Sequence, residues 1–186
     1  YEIEHRLLFP DGRIKWVKEK CRTFFDEYGK PYRSTGIVQD ITKQKLNELQ
    51  LLKMETFLQR TSEVAGVGGW EINMDTGELF WSEVTKQIHE VPENYTPNVK
   101  DAISFYATSE GRKQVEHAFY RAVEAKESFR MELSLRTWTG RFIWIETRGE
   151  AEWEDNRCLR VFGTFQDITA RKEIERKQEE EHRQAL

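Results

Sequence analysis

Cysteine is almost missing from these 186 residues: Cys21 and Cys158 are the only two. They fall at unmatched places in a sequence that otherwise repeats itself. Neither a disulfide framework nor a thiolate metal site is signalled, and a reducing cytoplasm is the expected location. Long apolar runs are missing too. No stretch approaches the roughly 20 residues of a membrane helix and no leader pattern opens the chain. The expectation is a soluble piece that makes no membrane contact of its own, whatever anchors the parent protein. Positive charge is not in excess, with 29 Lys plus Arg against 33 Asp plus Glu and a net charge of −4. Nucleic acid is therefore not an expected partner.

Catalytic parts are lacking as well. There is no nucleophile elbow and no cysteine with a placed histidine, so the fragment is expected not to be an enzyme. Gly66, Gly68 and Gly69 lie before a strand rather than between a strand and a helix. They read as a turn that admits a linker helix closely onto a sheet, not as a phosphate loop. The four histidines have no metal-ligand spacing, and no metal site is expected. His5 falls in a strand and His182 in a charged terminal helix, where it reads as solvated.

What is present is a repeat. GIVQDITKQK from Gly36 to Lys45 returns as GTFQDITARK from Gly163 to Lys172. Laying Tyr1–Lys45 over Phe129–Lys172, with one residue dropped in a turn, matches Glu4 with Glu132, Leu7 with Leu135, Gly12-Arg13 with Gly140-Arg141, and Trp16 with Trp144. Each copy reads as three strands joined by tight turns. In the long strand Trp144 falls on one face and Ile143 and Ile145 on the other, so both faces of the sheet are expected to be covered.

Between the copies, KQKLNELQLLKMETFLQRTSEVA has no Gly or Pro. Leu51, Met54, Leu58 and Ala65 recur at heptad-like spacing, which predicts an amphipathic helix. Either it packs on its own domain's sheet or it pairs with a second copy of itself. A hairpin around Asp75-Thr76-Gly77 follows. Three helices come next: one capped by Ser82, a second at NVKDAISFYA, and a third with Val115, Phe119, Ala122 and Val123 on its buried stripe.

This order, with GWEINMDTGELFWS, the strand pair around TGRFIW and the closing GTFQDITARK, resembles a PAS sensor domain with its PAC segment, in the Trp-rich subclass of prokaryotic signalling proteins. The resemblance implies an α+β chain with a five-stranded antiparallel sheet under a helical cap, plus an N-terminal three-stranded partial copy and linker helices. Residues 1–42 are assigned to the C-terminal part of a first PAS domain and 43–63 to a linker helix. Residues 64–169 are assigned to a complete PAS domain and 170–186 to a C-terminal signalling helix. Completion of the first copy is expected either from strands of another chain or from an upstream part of the first domain. Where relatives carry a His-Pro-Asp stretch, this chain has YATSEGR, which puts that loop's usual contacts in doubt.

The resemblance also frames the sites. The cap has no cysteine for a flavin adduct. The obvious haem candidate, His117, points about 200° from Val115 and away from the buried stripe, so haem is not expected and the cofactor is unknown. His89 reads as a semi-buried, hydrogen-bonded histidine or a ligand contact. Trp70, Phe80, Trp81, Phe105, Phe119, Trp144 and Phe165 either line a pocket or fill the core. Trp70, Ile72, His89, Phe105 and Phe119 are the candidate pocket walls. Asp40, Thr42, Asp167 and Thr169 stand where a strand becomes a helix and are expected to cap that helix and carry motion into it. The resemblance makes Arg13 and Arg141 the candidates to pair with those aspartates.

The function implied is a non-catalytic sensory and signal-transduction module. Ligand or redox state would pass through helical linkers to an output domain in cis, such as a histidine kinase or diguanylate cyclase, within a homodimer. The alternative is a ligand-free dimerisation and spacer module.

Overall fold

The computed structural model describes residues 1–184 and divides into two units, Tyr1–Gln59 and from Arg60 onward. The last two residues of the expected terminal helix, 185–186, lie outside the described residues.

The first unit is a three-stranded antiparallel meander, β1 (Glu2–Leu8), β2 (Ile14–Phe25) and β3 (Pro31–Asp40). Its turns follow from local chemistry. Gly12 and Gly29 take positive φ, and the Asp26 carboxylate accepts from the N–H groups of Tyr28 and Lys30 at 3.0 and 2.8 Å. Val17 and Ile41 are its buried apolar residues, while Ile3, Leu7, Ile37 and Val38 are exposed.

Helix α1 (Thr42–Ala65) carries the chain out of this unit. None of its residues is buried. Leu51, Met54 and Leu58 are exposed, and so are Leu46, Leu49 and Leu52. Leu49 and Leu58 are nine residues apart, which at about 100° per residue puts them on opposite sides. The single amphipathic stripe expected from the sequence is therefore not what α1 presents.

The second unit runs β4 (Val67–Asn73), β5 (Leu79–Trp81), α2 (Glu83–His89), α3 (Val99–Ser104), α4 (Ser109–Ala125), β6 (Phe129–Arg136), β7 (Phe142–Glu154), β8 (Arg157–Asp167) and α5 (Thr169–Gln184). Its five antiparallel strands lie in the order β5-β4-β8-β7-β6. The last strand, β8, sits at the centre because β4 pairs with its far edge, Trp70 opposite Gly163. Strand alternation sends Leu133, Leu135, Ile143, Ile145 and Phe165 inward, where they form the core with Trp81, Phe105 and Tyr106.

Two sequence expectations change here. Gly66 does make the turn that ends α1, with φ +61°, but Gly68 and Gly69 belong to β4. A Cβ on Gly68 would run into Thr85, so the close approach it permits is that of α2, not of the linker helix. The outer face of the sheet is also not covered in the way Trp144 suggested. That ring is 43% exposed, with the Lys172 ammonium 5.8 Å above it. Around it the face carries charge: Glu146 is buried among Arg130, Arg148 and Arg171.

Candidate functional site

The cap is fastened to the sheet through α2. The Ser82 hydroxyl accepts from Gly69 N at 2.9 Å and from Thr85 N at 3.4 Å, capping the helix while tying its start to β4. Thr85 is fully buried, and its hydroxyl donates to Gly69 O at 2.8 Å. One turn later the Thr85 carbonyl lies 2.8 Å from Nδ1 of His89. A carbonyl only accepts, so Nδ1 carries the proton. The His89 ring is stacked between Trp81, at 4.0 Å, and Phe165, at 4.7 Å, with Phe105 edge-on at 5.0 Å. Burial pushes its pKa down to about 4, against the Thr85 contact, which raises it. At neutral pH His89 is therefore an uncharged ring, more deeply enclosed than the semi-buried residue expected.

A cavity of about 320 Å³ lies between the cap and the inner face of the sheet. Trp70, Ile72, His89 and Phe119 of the expected walls line it. Phe105 does not; it is packed behind His89 and Trp81 as part of the core. Walls that sequence reasoning missed include Phe129, Tyr106 and Thr147. Phe129 stacks on Trp70 at 6.2 Å, in space left by Gly149, where a Cβ would strike its ring. A glycine in the middle of a strand pattern was the available signal. Tyr106 is buried, which raises its hydroxyl above the ordinary range, with Thr147 offsetting part of that rise. His117 is exposed on α4, away from the cavity. Among the described residues no group of three or more His, Cys, Asp or Glu is placed to hold a metal.

The cap's other fastening reaches the β6–β7 hairpin. Trp138 N donates to His89 O at 2.9 Å, and the next residue, Glu90, meets Arg141 at 2.8 Å and the Thr139 hydroxyl. Arg141 is thus committed to the cap rather than to Asp167. Arg13 likewise pairs with Asp11, inside its own turn. Neither arginine meets an aspartate of the Asp-Ile-Thr runs: Asp11 takes Arg13 within its own turn, and Glu90, just past the end of α2, takes Arg141. The partner of Asp40 is Lys15, at 2.8 Å, and Lys15 with Thr42 holds that carboxyl well below its usual range.

The two strand-to-helix joints are built alike. Asp40 accepts from Thr42 N at 3.0 Å and Asp167 from Thr169 N at 2.8 Å, as expected of a cap. The threonine hydroxyls turn the other way. Thr42 Oγ1 accepts from Trp16 N and Thr169 Oγ1 from Trp144 N, each at 2.9 Å. Ile41 N and Ile168 N donate back to the carbonyls of the same tryptophans, at 2.9 and 2.8 Å. Both isoleucines are buried. Each helix is thereby bonded to the backbone of the middle strand at its first residue. One turn on, a lysine closes the joint: Lys45 to Glu4 at 2.7 Å and Lys172 to Glu132 at 2.6 Å.

With this geometry in place, the comparisons place the fold. A family model described as the PAS fold matches residues 1–38, within the first unit. The structure of a sensory box histidine kinase/response regulator from Burkholderia thailandensis is 28% identical, with a TM-score of 0.55, covering 68% of this chain and 98% of that one. The N-terminal domain of a diguanylate cyclase with PAS/PAC sensor from Marinobacter aquaeolei is 16% identical, with a TM-score of 0.52, covering 57% of this chain and 98% of that one. The uncharacterized protein y4lL of Sinorhizobium fredii is 26% identical over 179 residues, 94% of this chain and 21% of that protein. The chain thus spans about a fifth of the length of the curated relative it matches. No helix among the described residues is long and apolar enough to cross a membrane. The comparisons agree on the PAS fold, matched by the family model over residues 1–38 and by solved structures over the larger part of the chain.

Proposed function

We propose that this chain, with its PAS fold, is a PAS/PAC sensor: a non-catalytic signal-transduction module in which the state of the cap cavity is passed to α5, and through it to an output domain in cis. The carrying observation is that one sheet bears both parts. The cavity lies on its inner face, and its strand β7, next to the central β8, is bonded through Trp144 to the first residue of α5. A change in the cavity that moves β7 moves that helix, because the joint has no slack turn to absorb it. A histidine kinase or diguanylate cyclase is the output expected in the parent protein, working as a homodimer in the cytoplasm. Asp40, Thr42, Asp167 and Thr169 are the coupling residues on this reading. Arg141 contributes from the cap side through Glu90, and Arg13 only shapes its own turn.

The spacer reading has one observation in its favour. Helix α1 keeps apolar residues on opposite sides and buries none of them, as a segment that is covered only on assembly would. Native mass spectrometry of the full chain, purified without denaturation, separates the two. A small molecule retained at one per chain supports sensing. A dimer of bare chains with no retained mass supports the spacer.

A further inference from the structure

The cavity has one polar feature that nothing in the fold requires. Nδ1 of His89 is spent on the Thr85 carbonyl, which leaves Nε2 as a bare lone pair with no hydrogen-bond partner among the described residues. The side-chain atoms that are both sealed from solvent and unpaired are His5 Nδ1, Tyr95 OH and Trp153 Nε1. Nε2 of His89 is not one of them, and the residue lines the cavity. It is an acceptor held open toward that space. The helix that carries it cannot swing it away, because His89 O is bonded to Trp138 N.

Charge narrows the occupant. No lysine or arginine lines the cavity; its one charged side chain is Glu116, an exposed residue of α4. A carboxylate or phosphate entering there would lose its water and meet only a like charge. Shape narrows it further, since Trp70, Phe129, Phe119 and Phe165 present ring surfaces. A space of about 320 Å³ suits one or two fused rings.

We propose that the cavity binds an uncharged one- or two-ring aromatic compound whose N–H or O–H donates to Nε2 of His89. This deepens the sensing reading and rests on it. The donor is the specificity element: a ligand of the same shape without it leaves Nε2 desolvated and unpaired, which is the situation in which hydrogen-bonding sites discriminate most strongly. Phosphate-bearing and carboxylate-bearing ligands are excluded by the same walls.

The test uses the full chain and three probes: indole, 1-methylindole, which has the same ring without the donor, and indole-3-carboxylate. Calorimetric titration is expected to show indole binding about tenfold tighter than 1-methylindole, and no binding of the carboxylate. His89→Phe keeps the ring and removes the acceptor, so the two neutral probes should then bind equally. Should that variant not fold, the wild-type chain labelled with ¹⁵N-histidine supplies the readout. The Nε2 resonance of His89 should move on adding indole and stay in place with 1-methylindole. Equal affinity of the two neutral probes for the wild-type chain, tighter binding of the carboxylate, or binding of none of them overturns the proposal. The sensing reading falls separately, when the chain purified from cells retains no small molecule.

Discussion

Leu135 and Leu7 occupy matched places in the two copies of the strand triplet, yet the first is fully buried and the second is 39% exposed. Phe165 and Val38 are matched too, at 4% and 61%. The antiparallel pairing, the first turn and the joints into the following helices repeat the same backbone hydrogen bonds, while the second turn is longer in the first copy. What differs is cover: only the second copy has α2, α3 and α4 over its inner face and β4 along the edge of its last strand. The meander and its joint thus follow from local sequence. Burial of the inner face, and the cavity with it, comes from residues outside the repeat.

The comparison is broken most strongly by truncating the matched leucines. Leu135→Ala should destabilise the second unit by about 2–5 kcal/mol, since it leaves a cavity in a packed core. Leu7→Ala should cost less than about 1 kcal/mol at its half-open site. Urea unfolding followed by hydrogen exchange within each unit measures both, and equal costs would mean that the first copy is covered in solution.

Next in size is a pH effect confined to the covered copy. The folded pKa of His89, about 4, lies below its ordinary 6.5. The unfolded chain therefore takes up a proton first as pH falls. Stability from this group is complete above about 6.5 and drains away toward 4, by roughly 3 kcal/mol in all. Melting temperatures from pH 7 to 4 should fall more steeply for the wild-type chain than for His89→Phe. Parallel slopes would show that other groups, such as Glu90, whose carboxyl is held below its ordinary value, account for the loss.

The joints should respond alike despite their different cover. Thr42→Val and Thr169→Val each remove an acceptor from a strand amide, at a cost of about 1 kcal/mol. Exchange of the Trp16 and Trp144 amide protons should quicken in the respective variant, and a large difference between copies would show that the cap reinforces the second joint. The smallest effect sharpens a contrast instead. Lys15 occupies the position matched to Ile143, so Lys15→Ile makes the first joint resemble the second. The Asp40 carboxyl should then titrate higher, toward its ordinary value, in an NMR titration.

The strand triplets, the three cap helices and their Ser82 start were readable because turn glycines, alternation and capping residues act within a few positions of themselves. His89 was readable as a hydrogen-bonded residue because its partner, Thr85, is four residues away. The partner of Arg141 was not. Glu90 is 51 residues upstream, and only the docked cap brings it near. The threonine hydroxyls were misread for a related reason: a capping pattern shows which residue can accept, not whether a strand 25 residues earlier reaches it first. Phe105 proved to be core, and Phe129, singled out for neither role, proved to be a wall, since composition does not say which ring meets an empty space.

The clasp between the sheet and α5 has a property of its own. Glu146 has two guanidinium partners, Arg130 and Arg148, each at 2.7 Å, and a third, Arg171, at 3.8 Å. Burial alone would raise its carboxyl, but the Arg130 and Arg148 contacts outweigh that and hold it below the ordinary value. Arg171 and Lys172 also reach Glu132, both at 2.6 Å. The first residue of the helix is therefore held by short amide and hydroxyl bonds, and its first turn by partly exposed charges. Dissolved ions weaken the second kind of attachment and leave the first almost untouched. Added salt should therefore loosen the first turn of the helix while its first residue stays bonded to the sheet, a change that exchange of the Arg171 and Lys172 side-chain contacts with Glu132 would report.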